Sequence, residues 1–134
     1  MNNLSFASWI YPQSVTEVLD DGMRYPTSVI DAMHSFAESG PWSDTRRERR
    51  NKMRRLNRRL AAALGVIAPS LQFVSRRRAC GRGSCYVVRL HRIILVGKIS
   101  VVTYLHEFAH ALGHDEIGAC RWSINLFRLC FPSQ

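Results

Sequence analysis

The spacing of hydrophobic and polar positions predicts helices in the first part of the chain. Ser14-Val-Thr-Glu17 has the form of a capping box and opens a short helix that ends at Gly22. A second helix opens at Ser28-Val-Ile-Asp31, repeats its apolar residues at helical spacing and ends at Gly40-Pro41. The chain therefore begins with two short helices.

A third, longer helix is predicted from Ser43 or Asp44 to about Leu64, with Gly65 as its stop. Its apolar residues form one narrow stripe, which consists of Met53, Leu56, Leu60 and Leu64. A stripe of this width buries one side of a helix and leaves the other sides to solvent or to a partner.

The period then changes, and short apolar runs predict three strands over 71–74, 86–90 and 92–96. Cys80-Gly-Arg-Gly-Ser-Cys85 has the composition of a turn and would join the first two strands. Gly97 ends the third strand. We therefore expect a small antiparallel sheet.

Two further helices follow the strands. Ser100 caps the first, which spans 101–112 and ends at Gly113, and the second spans about 115–129 before Pro132. One face of the second carries Ile117, Cys120, Ile124 and Phe127. The apolar residues expected in the core near the C-terminus are Trp122, Phe127, Leu129 and Phe131. The order of elements predicts an α+β fold.

The length of 134 residues and the 46% hydrophobic content fit one folded domain over 1–134. Within it we distinguish an acidic helical segment (1–42), an arginine-rich helix (43–65) and a sheet with the candidate chemistry (66–134). The formal net charge is +9, and the charges are unevenly placed, with net −4 over 1–43 and net +13 over 44–134. This asymmetry indicates a polyanionic or acidic partner.

The third predicted helix contains most of this positive charge, with nine bases and one acid between positions 46 and 59. Basic residues in the first turns oppose the helix dipole, so they are not there for helix stability. The candidate nucleic-acid contacts are Arg46, Arg47, Arg49, Arg50, Arg54, Arg55, Arg58 and Arg59. A solvated face, or docking on an acidic protein segment, explains the same charges and stays open.

The first 11 residues lack the basic start and long apolar core of a signal peptide, and no apolar run approaches the ~20 residues of a membrane span. We therefore expect a cytoplasmic protein with no membrane partner. In that compartment the four cysteines are thiols or metal ligands rather than a disulfide framework. Cys80 and Cys85 are expected to face each other across a hairpin, or to hold a second metal together with Cys120 and Cys130.

The sequence His106-Glu107-Phe-Ala-His110 is the motif that carries chemistry. Residues four apart on a helix lie about 40° apart around the axis and about 6 Å along it, so both imidazoles can reach one zinc ion. Glu107 follows the first ligand and can reach a zinc-bound water as its general base. An amphipathic helix with two surface histidines is the alternative.

A catalytic zinc site needs a third protein ligand and one open position. His114 would lie about 12 Å along an unbroken helix from His106, too far to share one ion. After a turn at Gly113, Glu116 can reach back to the metal, so Glu116 is the preferred third ligand. His114, Asp115 or a distant residue stay open as alternatives.

These residues carry a resemblance to the zincin metallopeptidases, which covers Ile93 to Phe131. The pattern H-E-x-x-H-x-x-G-x-x-E over 106–116 is similar to the metzincin motif, with Glu116 where that family usually has His. Glu116-Ile-Gly-Ala119 resembles the E-x-x-A helix of gluzincins and ImmA/IrrE-like peptidases, at a shorter spacing than is usual there. Both resemblances imply that Glu116 is the third ligand.

The resemblance implies hydrolysis of a protein or peptide, with Zn²⁺ as cofactor and Glu107 as the catalytic base. Arg121, His114, His91 and Tyr86 are the candidates for oxyanion or substrate contacts. The strand 92–96 would be the edge strand beside which an extended peptide lies. By analogy with ImmA-like and SprT-like peptidases, the substrate would be a nucleic-acid-associated protein.

Two other functions remain open from the sequence. Gly113-His-Asp115 has some similarity to the motif of YbeY-type endoribonucleases, although that family has no acid at the position of Glu107 and has His where this chain has Glu116. A non-catalytic zinc module with a nucleic-acid-binding helix is the third hypothesis. It leaves Glu107 without a role, because a structural site needs no base.

Overall fold

The computed structural model describes residues 22–131. The helix predicted to open at Ser14 lies outside the described residues, apart from its stop at Gly22. Two compact units are present, one over Arg24–Pro69 and one that contains residues 70–131. We call them the arginine-rich unit and the sheet unit.

The arginine-rich unit contains two helices, α1 (Thr27–Glu38) and α2 (Arg46–Leu64), with a 3₁₀ turn over Pro41–Ser43 between them. Gly40 ends α1 and Gly65 ends α2, both in the left-handed conformation with φ of 65° and 67°. These ends confirm the predicted stops. The helices pack through the predicted apolar stripe, with the side chains of Val29, Met33, Phe36, Met53, Leu56 and Leu60 buried.

The predicted cap of α2 at Ser43 or Asp44 is wrong, because Thr45 caps the helix. Its side chain accepts a hydrogen bond from the Glu48 backbone at 3.2 Å, and the Glu48 carboxylate accepts one from the Thr45 backbone at 2.9 Å. This reciprocal pair requires a carboxylate three residues after the cap, a condition that Thr45 meets.

The sheet unit contains three strands, β1 (Ser70–Val74), β2 (Cys85–Val87) and β3 (Arg92–Val96), in the order β1-β3-β2. Strand β3 is parallel to β1 and antiparallel to β2, so the sheet is mixed and the expectation of an antiparallel sheet is wrong. Burial alternates along β3, where Ile93 and Leu95 point into the core.

The predicted turn over 80–85 does not form a hairpin, because the chain enters a short helix, α3 (Arg76–Ala79), directly after β1. Ser75 caps α3 by accepting a hydrogen bond from the Arg78 backbone at 3.1 Å. Cys80 and Gly81 then turn the chain with positive φ, and β2 joins the far side of β3. Strand β2 ends early, since Val88–Leu90 form a 3₁₀ turn.

Helices α4 (Val101–Ala111) and α5 (Glu116–Cys130) complete the sheet unit. Ser100 caps α4 and Asp115 caps α5, with hydrogen bonds of 3.3 and 2.8 Å to backbone N–H groups. Gly113 joins them at φ +100°, a conformation that L side chains rarely adopt. The fold is thus α+β, with three strands and five α-helices in the described part.

The buried face of α5 differs from the predicted one. Ala119, Cys120, Trp122, Leu126 and Cys130 are buried, whereas Ile117 and Leu129 are exposed by 62% and 55%. The expected core residues Trp122 and Phe131 are buried, and Phe127 is half-buried. Within residues 22–131, we find no helix with the length and apolar character that a membrane crossing requires.

The two leucines near the end of α5 provide a matched test of this packing. Leu126 is fully buried and Leu129 is 55% exposed. We expect Leu126→Ala to lower the free energy of unfolding by about 2–5 kcal/mol, because it leaves a cavity. Leu129→Ala should change it by no more than about 0.5 kcal/mol. Denaturant unfolding of both variants measures the difference, and equal losses would contradict the observed orientation of α5.

Candidate metal centre

The candidate metal ligands lie where α4 ends and α5 begins. His106 and His110 are one helical turn apart on α4, and Glu116 is the first residue of α5. The turn at Gly113 reverses the chain between the two helices, and the Asp115 cap fixes where α5 starts. The local signals for a helix stop and a helix start therefore bring Glu116 back to the two histidines.

Three ligand atoms converge at this point. His110 Nε2 lies 3.0 Å from Glu116 Oε1 and 3.2 Å from His106 Nε2. His106 Nε2 lies 3.3 Å from the same Glu116 oxygen. Four ligands placed tetrahedrally around zinc at 2.0–2.1 Å are separated from each other by about 3.3–3.4 Å. The triangle has nearly the size of one face of such a tetrahedron.

The hydrogen bond made by Nδ1 of His110 determines the tautomer of this ring. His110 Nδ1 lies 2.9 Å from the backbone oxygen of His114, which can only accept, so Nδ1 donates. In the neutral ring Nε2 then presents its lone pair to the site. This arrangement orients a metal-binding histidine in the way that such partners do in metalloproteins.

His106 is neutral at physiological pH. Burial lowers the pKa of His106 to about 4, and this effect outweighs the opposing charge of Glu116. His106 Nε2 and the Glu116 carboxylate oxygen lie 3.3 Å apart, and an imidazole nitrogen and a carboxylate oxygen are both ligands of zinc. The donor set of two imidazoles and a carboxylate therefore fits a divalent metal ion such as zinc.

Cys120 is an additional donor beside this triangle. The ligand atoms of His106, Glu116 and Cys120 all lie within 4.8 Å of one another, so this group could hold a metal ion. The Cys120 side chain is 2% exposed, and burial, followed by the charge of Glu116, raises the pKa of its thiol. Glu116 Oε2 is buried and has no hydrogen-bond partner within the described part of the chain.

The sequence interpretation had no metal role for Cys120 at this centre. It placed Cys120 on an apolar helix face, or with Cys80 and Cys85. The available signal was the spacing of four between Glu116 and Cys120, which equals the spacing of His106 and His110 and puts both side chains on one face of a helix.

Glu107 is buried beside the ligands, with 4% of its surface exposed. Burial, and secondly the charge of Glu116, raises its pKa to about 8. A hydrogen bond from the backbone N–H of Tyr86 acts in the opposite direction and ties the carboxyl group to β2. Glu107 is thus a carboxyl group whose proton can be exchanged near neutral pH.

An open cleft of about 560 Å³ is lined in part by these groups. One side is formed by the segment of β2, with Ser84, Cys85, Tyr86 and Val88. The other side contains His106, Glu107, His110, Gly113, His114 and Glu116. An extended chain lying in the cleft would therefore pass between β2 and the candidate metal ligands.

The four candidate substrate contacts differ in whether they line this cleft. Tyr86 and His114 line it, whereas Arg121 and His91 are not among the described residues that do. His91 Nδ1 instead lies 2.7 Å from the Tyr86 hydroxyl, so it positions that side chain. The expected edge strand over 92–96 is wrong, because β3 is paired on both sides and β2 is the edge strand at the cleft.

Cys80 and Cys85 do not face each other across a hairpin, because the structure has none there. Both are free thiols, Cys80 exposed and Cys85 half-buried in β2. Neither belongs to a group of three or more clustered metal-ligand donors among residues 22–131.

No known family model matches this chain, and neither a curated protein nor a solved structure matches it. The resemblance to zincins therefore depends on the motif residues between His106 and Ala119.

Proposed function

We propose that this chain is a zinc-dependent metallopeptidase that hydrolyses a peptide bond in a protein or peptide substrate. The observation that carries the proposal is the set of three ligand atoms within 3.3 Å of one another, with the buried Glu107 beside them on an open cleft. When bound, zinc supplies Lewis-acid activation of water and of the scissile carbonyl.

Each residue has a separate task in this proposal. His106, His110 and Glu116 hold the ion and leave one position open. Glu107 accepts a proton from the attacking water and returns it to the leaving amine, a task favoured by a pKa above the ordinary carboxyl range. The backbone N–H of Tyr86 keeps the Glu107 carboxyl group oriented toward the cleft.

The substrate would lie along β2. Tyr86 uses its backbone N–H for Glu107 on the side away from β3, so the outer edge of this strand faces the candidate site. An extended peptide can lie along such an edge. The side chains of Tyr86 and His114 are then the candidates in the cleft for contact with the developing oxyanion.

Library digestion tests the proposal directly. The full chain, loaded with zinc, is incubated with a broad peptide library, and new termini are identified by mass spectrometry. We expect cleavage that a chelator stops and added zinc restores. The His106→Ala/His110→Ala double variant should give none. Cleavage that persists in this variant, or an inactive wild-type protein with zinc bound, would argue against a peptidase.

Cys120 supports a second candidate function, a closed metal site without catalysis. A fourth protein ligand would occupy the position that a catalytic site keeps for water. The thiol lies close enough to His106 and Glu116 to be considered for this place. A closed shell would make the centre a structural link between α4 and α5.

Cobalt substitution separates the two candidates. With an open site we expect the Co²⁺ spectrum of the wild-type protein and of Cys120→Ser to be the same, with no thiolate charge-transfer band in the near ultraviolet. Such a band in the wild-type protein, lost in Cys120→Ser, would establish the closed site instead. Cys130→Ser is the matched control, since Cys130 is also a buried thiol on α5 but lies outside the donor group.

A further inference from the structure

Three of the nine basic side chains between Arg46 and Arg59 connect elements of the arginine-rich unit. Arg49 donates to the backbone oxygens of Pro41 and Trp42 at 2.9 Å each. Lys52 pairs with Asp44 at 2.9 Å and donates to the Ser39 backbone oxygen, and Arg59 donates to the Ser35 hydroxyl. These three hold α2 to α1 and the turn between them.

The other six form a continuous basic surface on α2. Arg46, Arg50, Arg54 and Arg58 are spaced by four residues, so they form one row with steps of about 6 Å along the helix. Arg50 is half-buried and the other three are exposed, as are the flanking Arg47 and Arg55. We call the four spaced residues the arginine row.

The arginine row lowers the stability of α2, and an anionic partner would offset this loss. Like charges four residues apart on a helix repel, and the cations in the first turn oppose the helix dipole. Glu48, the one acid in the segment, is engaged in the capping box with Thr45. The arginines therefore lower the stability of the isolated helix, and a bound anion would offset this loss.

A small notch between α1 and α2 lies beside this surface. It has a volume of about 90 Å³, and its lining includes the residues Ser35, Ser39, Lys52, Arg55 and Arg59. This volume admits several water molecules and hence one phosphate group. Hydroxyl and guanidinium donors are the groups that bind phosphate oxygens in proteins.

We propose that the arginine row binds the phosphate backbone of a nucleic acid, with one phosphate seated in the notch beside Arg55. Nine bases over 46–59 extend along about 21 Å of helix, which gives about one positive charge per 2.3 Å. Double-stranded DNA carries about one negative charge per 1.7 Å, a comparable linear density. The interaction concerns the arginine-rich unit and stands independently of the proposed peptidase function.

A backbone contact predicts binding without sequence preference and with strong salt dependence. Aromatic residues are absent from α2, so stacking on single-stranded bases does not contribute there. Four phosphate contacts give a slope of log K against log salt of about −3.6, which weakens binding roughly 150-fold between 50 and 200 mM salt. An acidic protein partner is the alternative that the experiment must separate.

The experiment is fluorescence anisotropy of the full chain with labelled 20-base-pair duplexes of DNA and RNA, of two unrelated sequences each, across that salt range. Replacing Arg46, Arg50, Arg54 and Arg58 together by Gln should weaken binding at least about 100-fold and reduce the slope by about 3–4. Adding Arg55→Gln to this variant should reduce the slope of log K against log salt by about one more. Gln has a helix propensity close to that of Arg, and circular dichroism verifies that α2 remains folded.

The matched control replaces four exposed arginines of the sheet unit, Arg77, Arg78, Arg82 and Arg89, by Gln, with the same change in net charge. We expect the slope of log K against log salt of this variant to differ from that of the wild-type protein by no more than about one. Equal losses in the two quadruple variants would show that only net charge matters and would overturn the proposal. A polyglutamate peptide that binds as tightly as the duplexes, and depends on the row equally, would assign the surface to an acidic protein.

Discussion

Replacing Glu107 with glutamine is expected to reduce the rate of peptide hydrolysis by about 10²–10⁴-fold while the protein keeps its metal ion. Glutamine has nearly the same shape and can accept the hydrogen bond from the Tyr86 backbone, but it cannot take a proton from water. The three proposed ligands are untouched by the change. Initial rates on a cleaved peptide, together with the metal content of both proteins, measure the effect.

Glu38→Gln is the control for this experiment, because it makes the same carboxyl-to-amide change at an exposed residue at the end of α1. Its rate should equal that of the wild-type protein. A Glu107→Gln protein with bound metal and an undiminished rate would remove Glu107 from the mechanism. A variant that loses its metal would show that Glu107 acts on the ligands and not on a proton.

The second large effect concerns the removal of the metal. A ligand that binds only the folded state stabilises it by about 4 kcal/mol when its concentration is 1,000 times Kd. Here the ion would bind side chains of both helices and so link α4 to α5. At roughly 4 °C per kcal/mol for a chain of this size, we therefore expect a chelator to lower the thermal midpoint of the wild-type protein by about 16 °C.

The control is the His106→Ala/His110→Ala variant, which has lost two of the proposed ligands. Its midpoint should not respond to the chelator or to added zinc. Equal responses in both proteins would mean that the stabilising ion binds elsewhere on the chain. Scanning calorimetry with and without chelator, at fixed protein concentration, provides the comparison.

The sequence predicted those parts of the fold that local chemistry determines. The stops at Gly40 and Gly65, the cap at Ser100, the start of α5 near Asp115 and the bounds of β3 depend on residues within a few positions of each other. Where two local signals competed, as at the start of α2, the reciprocal hydrogen bonds of Thr45 and Glu48 decided the outcome.

The pairing of the strands could not be predicted in the same way. The turn-like composition of 80–85 favoured a hairpin, but Ser75 caps a helix after β1 and carries the chain away. Strand β1 then pairs with β3 across a long separation in sequence, and no short-range signal specifies such a partner. Because β1 pairs with β3, strand β3 lies at the centre of the sheet, and β2, not β3, is the edge strand at the cleft.

In the candidate site, too, the features set by local spacing could be predicted, and those set by packing between helices could not. The spacing of His106, His110 and Glu116 led to the expectation that they share an ion, and their ligand atoms lie within 3.3 Å of one another in the structure. The position of Cys120 beside them depends on how α5 rotates against α4, which the sequence pattern misjudged. The same error placed Ile117 and Leu129 differently from where the structure has them.

The central claim is that His106, His110 and Glu116 hold a metal ion, and elemental analysis of the purified protein tests it most directly. We predict about one zinc per chain in the wild-type protein, as a single tetrahedral site requires, and none in the His106→Ala/His110→Ala variant. A wild-type protein that takes up no zinc even when zinc is added, or a double variant that retains it in full, would contradict the account.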